Sequence, residues 1–198
     1  MSDSSIGREG AGPGLALVGY RGTGKSTVGR LLAARTGRPF VDADLEIEAR
    51  AGRSIRSIFE ESGEPEFRDW EERVLFEIAE ARPGAVLATG GGAILREANR
   101  RTLRGFGVVV WLWAEPSVLA RRLGADARTR ASRPALTTAG ALDEIADVLA
   151  ARTPLYAEVA DARIETGGKS VAEVVDAILE TWSHATAEAP PREPHSCS

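Results

Sequence analysis

Apolar residues along this chain come in two rhythms. Short unbroken runs occupy residues 15–18, 40–41, 85–88 and 108–113, and residues 162–165 form one more brief extended stretch. Runs of that length read as strands. Between them the apolar positions return every three or four residues. Val28, Leu31 and Leu32 predict a helix over 27–36, and residues 45 to about 81 read as helical with breaks near Gly52 and Gly63. Residues 94–103 are helical in pattern, Pro116 stands in the first turn of a further helix, and 142 to about 159 is helical apart from Pro154. Ser170 and Glu173 form a capping box for a last helix that ends near Trp182. Strands alternating with helices predict an α/β fold whose parallel sheet is covered on both faces.

Three stretches escape both rhythms. Residues 1–14 are small and polar and are expected to be flexible. Residues 125–140 mix arginine, threonine, serine and proline and read as a long loop. Residues 183–198 hold Pro190, Pro191 and Pro194 without apolar periodicity, which predicts a disordered tail. One domain over 15–182 accounts for the rest.

Composition narrows the class. At 43% hydrophobic and 27% charged residues, the 198-residue chain has the make-up of a soluble globular protein. A net charge of −4 argues against general nucleic-acid binding. The single cysteine, Cys197, lies in the tail, so no disulfide framework exists. The opening MSDSSIGREG has no apolar core, and no apolar run approaches the roughly 18 residues of a membrane span. A cytoplasmic protein with no nucleic-acid or membrane partner is expected.

In a parallel sheet, ligands collect beyond the carboxyl ends of the strands. Gly19, Asp42 with Asp44, and Gly90 follow three of those ends, so these clusters are expected to face one crevice. The first is the most specific. GYRGTGKS, residues 19–26, matches G-x-x-x-x-G-K-[ST] between a predicted strand and a predicted helix. Glycines there let backbone N–H groups turn inward around phosphate oxygens, and the helix N-terminus adds its positive end. Lys25 offers a compact ammonium to the terminal phosphates, and Ser26 a hydroxyl to Mg²⁺. Lys25 is one of only two lysines beside 23 arginines, which fits a site that needs a point charge. GGKS at 167–170 is a partial look-alike that ends a strand and caps a helix.

The other two clusters are open on sequence alone. One of Asp42 and Asp44 can hold a metal ion through water while the other orients an acceptor hydroxyl and takes its proton. Equally, Asp44 can cap the next helix. Gly90-Gly91-Gly92 allows close approach of backbone to a small ligand, or is a tight turn. Arg68, with Glu71 three residues on, has the spacing of an ordinary surface pair.

Taken in order, GYRGTGKSTVG, the F-V-D-A-D segment, GRSIRSIFEESGEPEFRDWEE, the TGGGA turn, RP at Arg133 and RTPLY at Arg152 resemble the shikimate kinases. These are small P-loop kinases of aromatic amino-acid biosynthesis. The match covers about 15–182. It implies a three-layer P-loop kinase fold, with a five-stranded parallel sheet flanked by helices, a substrate-binding helical segment and a mobile lid at about 124–140. It implies ATP-dependent conversion of shikimate to shikimate 3-phosphate with Mg²⁺. A monomer is expected. By the same resemblance Gly22, Thr23, Gly24, Lys25, Ser26 and Thr27 hold nucleotide phosphates, with Ser26 and Asp42 at the metal. Asp44 binds substrate hydroxyls and acts as the base. Arg68 and Arg152 grip the shikimate carboxylate, Glu71 steadies Arg68, and Gly91 contacts the ring. Arg133 reaches the phosphates from the lid. The chain departs from the family there: its lid is longer and adds Arg128 and Arg130, which compete for that role. Lys169, which follows the last strand, is expected near the adenine. Two alternatives remain: a related kinase such as a gluconate kinase, and a non-catalytic regulatory module.

Overall fold

In the computed structural model, residues 12–125 and 141–188 are described. The elements are β1 (Gly14–Val18), α1 (Lys25–Thr36), β2 (Phe40–Asp42), α2 (Ala43–Ala51), α3 (Ile55–Ala81), β3 (Val86–Ala88), a 3-10 turn (Ala93–Leu95), α4 (Glu97–Phe106), β4 (Gly107–Trp113), α5 (Pro116–Ala125), α6 (Ala141–Val159), β5 (Ala162–Glu165) and α7 (Val171–Glu188). The five strands form one parallel sheet in the order β2-β3-β1-β4-β5. This is the P-loop kinase fold.

Alternation along the strands divides the core. Leu15 and Leu17 of β1, with Val108, Val110 and Leu112 of β4, face Val28 and Leu32 of α1 and Val174, Val175 and Ile178 of α7. Ala16, Val18, Val109 and Trp111 face the opposite way, onto Ile47, Ile58, Phe67, Leu75, Ile78, Leu103 and Tyr156 from α2, α3, α4 and α6. Both faces of the central strands are therefore buried, which is why they read as unbroken apolar runs. A third cluster joins Tyr20 of the loop after β1 to Leu119 and Leu123 of α5 and to Ile145 and Leu149 of α6.

Register positions the site. Leu17 pairs with Ala88, and Ala88 with Asp42. The carboxyl ends of β1, β3 and β2 are thus level, and Gly19, Thr89 and Asp42 emerge at one edge. Thr89 fastens its turn there, donating through both its amide and its hydroxyl to Leu17 O at 3.2 and 3.1 Å.

Several boundaries differ from expectation. The helix predicted over 94–103 is a 3-10 turn followed by α4, which begins at Glu97. The break near Gly63 is a kink, with Gly63 at φ 80° and ψ 177°, and Pro65 then starts the second half. α6 continues through Pro154. α5 runs past residue 124 to Ala125, so the start of the expected lid is helical. Residues 126–140, with Arg128, Arg130 and Arg133, lie outside the described residues. α7 carries on beyond Trp182 to Glu188, so the first part of the expected disordered tail is helix. The capping box forms: Ser170 N and Oγ each donate to Glu173 Oε2 at 2.7 Å, and Glu173 N returns to Ser170 Oγ at 3.3 Å. No helix among the described residues is long and apolar enough to cross a membrane.

Candidate active site

The loop between β1 and α1 folds as its glycines allow. Gly19, Gly22 and Gly24 have φ of 140°, 81° and 93°, a region closed to most side chains. The N-cap of α1 is Gly24, with no side chain bonded to the cap and no acid in the first turn. No capping side chain therefore competes for the N-terminal N–H groups, and no carboxylate in that turn offsets the positive end of the helix. Lys25 is folded back over the loop, its Nζ donating to Gly19 O at 2.7 Å and Tyr20 O at 2.9 Å. Thr23 Oγ1 donates to the same Tyr20 carbonyl at 2.8 Å. The cradle is thus braced from within.

At the end of β2, Asp42 accepts from Ser26 Oγ at 2.6 Å through Oδ2 and from Asp44 N at 3.2 Å through Oδ1. Asp42 is therefore the cap of α2, and Asp44 stands in its first turn, which settles the capping alternative in favour of Asp42. A serine hydroxyl beside a carboxylate is a hard-oxygen pair suited to Mg²⁺, which commonly takes one or two protein ligands and completes its shell with phosphate and water. The residues present fit that ion.

The kinked α3 delivers Arg68. Its side chain is far from an exposed surface pair: Arg68 is 9% exposed and Glu71 1%. Arg68 Nη1 donates to Glu71 Oε2 at 2.6 Å, while Nε and Nη2 donate to Glu64 Oε1 at 3.1 and 2.8 Å. Burial pulls the guanidinium pKa down, but the charge of Glu71 and the bonds to Glu64 and Glu71 outweigh it, so the net shift is upward. The guanidinium lies against Gly92. A Cβ there would sit 2.5 Å from both Nη1 and Nη2, so the turn needs glycine for room and not for its φ of −108°.

Arg152 arrives on α6, half-buried, and donates from Nη1 to Gly91 O at 3.1 Å. The neighbouring Gly91 is also close to the phosphate loop: a Cβ on it would lie 3.1 Å from Arg21 N and 3.6 Å from Gly19 O. The Gly90–Gly92 turn therefore sits between the two arginines and the phosphate loop.

Lys169 lines a cavity of about 210 Å³ with Gly22, Thr23, Gly24 and Thr27 of the loop and with Arg122 and Thr166. Three residues here were given no role in the sequence reading. Arg122 of α5 spans the cavity wall, donating to Gly22 O at 3.2 Å, Thr166 Oγ1 at 3.0 Å and Thr166 O at 2.7 Å. Glu64 has an i, i+4 signal toward Arg68. Tyr156 lies one helical turn beyond Arg152 and also donates to Gly91 O, at 2.6 Å.

A family model described as shikimate kinase matches residues 21–183. A shikimate kinase of Rhodopirellula baltica is 49% identical over 160 residues, 81% of this chain and 85% of its own length. Among solved structures, a shikimate kinase from Acinetobacter baumannii in complex with shikimate is 41% identical with a TM-score of 0.78, covering 85% of this chain and 91% of that one. A gluconokinase from Sinorhizobium meliloti, at 20% identity and a TM-score of 0.56 over 88% of this chain and 94% of that one, shares the fold alone. The family match starts within the phosphate loop and runs into the last helix, over most of the chain, and on that ground the chain belongs to the shikimate kinase family.

Proposed function

We propose that this chain moves the terminal phosphoryl group of ATP onto the 3-hydroxyl of shikimate, with the following division of labour. Gly22 to Thr27 bind the nucleotide phosphates through backbone N–H groups, and Lys25 leaves its loop carbonyls to meet the terminal phosphate. Ser26 and Asp42 hold Mg²⁺, which when bound neutralises charge on the phosphate oxygens. Arg122 and Lys169 border the base end of the nucleotide.

Arg68 and Arg152 take the substrate carboxylate. A guanidinium has five N–H donors, and Glu64 and Glu71 engage three on Arg68, leaving one on each terminal nitrogen for a carboxylate fork. Asp44 accepts the proton of the attacking hydroxyl as the O–P bond forms and the bond from the terminal phosphorus to ADP breaks. Arg133 supplies a further cation to the transferring phosphate. The observation that carries this assignment is the Gly90–Gly92 turn, which has Arg68 and Arg152 on it and Gly19 and Arg21 against it. One boundary serves carboxylate and phosphate together. We further propose that the protein works as a cytosolic monomer, which light scattering at assay concentration checks in part.

ADP release with ATP and Mg²⁺ tests the assignment. It should require shikimate and be negligible with gluconate. Equal release with and without shikimate would overturn it.

A further inference from the structure

Gly91 O has two lone pairs, and both are used. Arg152 Nη1 takes one at 3.1 Å and the Tyr156 hydroxyl the other at 2.6 Å. The two donors stand four residues apart on α6, so they rise from one helix face. They differ in every other respect. Tyr156 is 0% exposed and its ring stacks on Trp111, with centroids 5.4 Å apart and planes at 15°. Arg152 is half-buried and reaches its acceptor at the edge of the site.

We propose that Tyr156 is a positioning residue of the acceptor site: its hydroxyl anchors the Gly91 carbonyl, so that Arg152 spends one donor there and keeps the others for the substrate carboxylate. The proposal rests on the assignment of Arg152 as a carboxylate ligand. The phenol suits this task. A short bond from a buried, stacked ring fixes the carbonyl in direction as well as distance. Burial also raises its pKa, so the group remains a donor throughout the working range. Without the hydroxyl, a buried carbonyl loses its nearer partner, and the guanidinium already bonded to it can bring a second N–H in its place. Each donor drawn onto the backbone is then lost to the substrate. The turn itself gains freedom beside Arg68 and the phosphate loop.

Tyr156→Phe tests this, because the ring and its stacking survive. Shikimate affinity by calorimetry, and KM for shikimate, should each weaken about three- to tenfold, the scale of one hydrogen bond. Binding of an ATP analogue should stay within twofold and kcat within about threefold. A purely structural role would instead lower the melting temperature and the active fraction, with both affinities unchanged. In an Arg152→Ala background, Tyr156→Phe should cost less than twofold. Unchanged shikimate affinity in Tyr156→Phe, equal loss for both ligands, or full additivity with Arg152→Ala would each overturn the proposal. If Arg152→Ala itself binds shikimate like the parent protein, the carboxylate assignment fails instead, and the two failures are told apart.

Discussion

Nine consecutive residues, 19–27, build the phosphate loop, whereas Asp44, Arg68, Gly91 and Arg152 come from four separate parts of the fold. The loop's braces are equally local: Lys25 bonds six and five residues back, and Thr23 three. The proposed acceptor side is held by long-range contacts, such as Arg152 to Gly91 across 61 residues. It is also charge-dense, with one buried guanidinium between two carboxylates. A local anion cradle tolerates changes elsewhere in the molecule. An assembled site transmits them, since each ligand's position depends on its neighbour's packing.

Mutations can break that contrast, and the largest effect belongs to the local side. Lys25→Ala should leave the fold and shikimate binding intact while kcat falls about a thousandfold, the scale of losing a transition-state donor. Lys25→Arg should also be poor, since a planar fork does not replace a point charge. Single-turnover kinetics on the folded variants decides; near-normal turnover in Lys25→Ala would remove this lysine from the chemistry.

Asp44→Asn comes next. The amide still bonds a hydroxyl but takes no proton, so kcat should drop about a hundredfold or more with shikimate affinity changed little. A loss confined to KM would make Asp44 a ligand and not the base.

Arg68→Ala should weaken shikimate about ten- to a hundredfold, with ATP-analogue binding nearly unchanged. It also removes a charge partner from Glu71, which is almost wholly buried, so stability should fall by about 3–5 kcal/mol. Calorimetry and melting on the same samples separate the two. Arg68→Lys should recover part of the affinity, because an ammonium cannot serve both acids and a substrate fork.

The smallest and sharpest change is Gly92→Ala. Its backbone suits alanine, and the three atoms nearest the new methyl all belong to the end of the Arg68 side chain. The melting temperature should hold while shikimate affinity falls about three- to tenfold, as expected for one displaced charged hydrogen bond. Parental affinity would mean that Arg68 has room to give way without leaving the substrate.

Much of this was legible beforehand. Five strands, the phosphate loop and the capping box of α7 follow from periods and short motifs, and those depend on near neighbours in the chain. Burial was not legible. Spacing makes Arg68 and Glu71 an ordinary helical pair, and the packing of α3 against the Gly90–Gly92 turn makes them a buried ion pair at that turn. Nothing around Pro154 announces that α6 continues through it, because a lost helical bond is offset by tertiary contacts that periodicity does not see.

By itself, then, the chain's order of residues determined where its strands lie, which lysine stands in the phosphate loop, and that two arginines and an aspartate accompany a glycine turn. The tertiary structure alone decided that Asp42 and not Asp44 caps α2, that Arg122 lines the cavity beside the phosphate loop, and that Tyr156 and Arg152 share one carbonyl. The physical reason is one of range. A backbone turn is set by the φ and ψ of a few adjacent residues, while a hydrogen-bond partner dozens of residues away exists only once the hydrophobic faces of the sheet have closed over it.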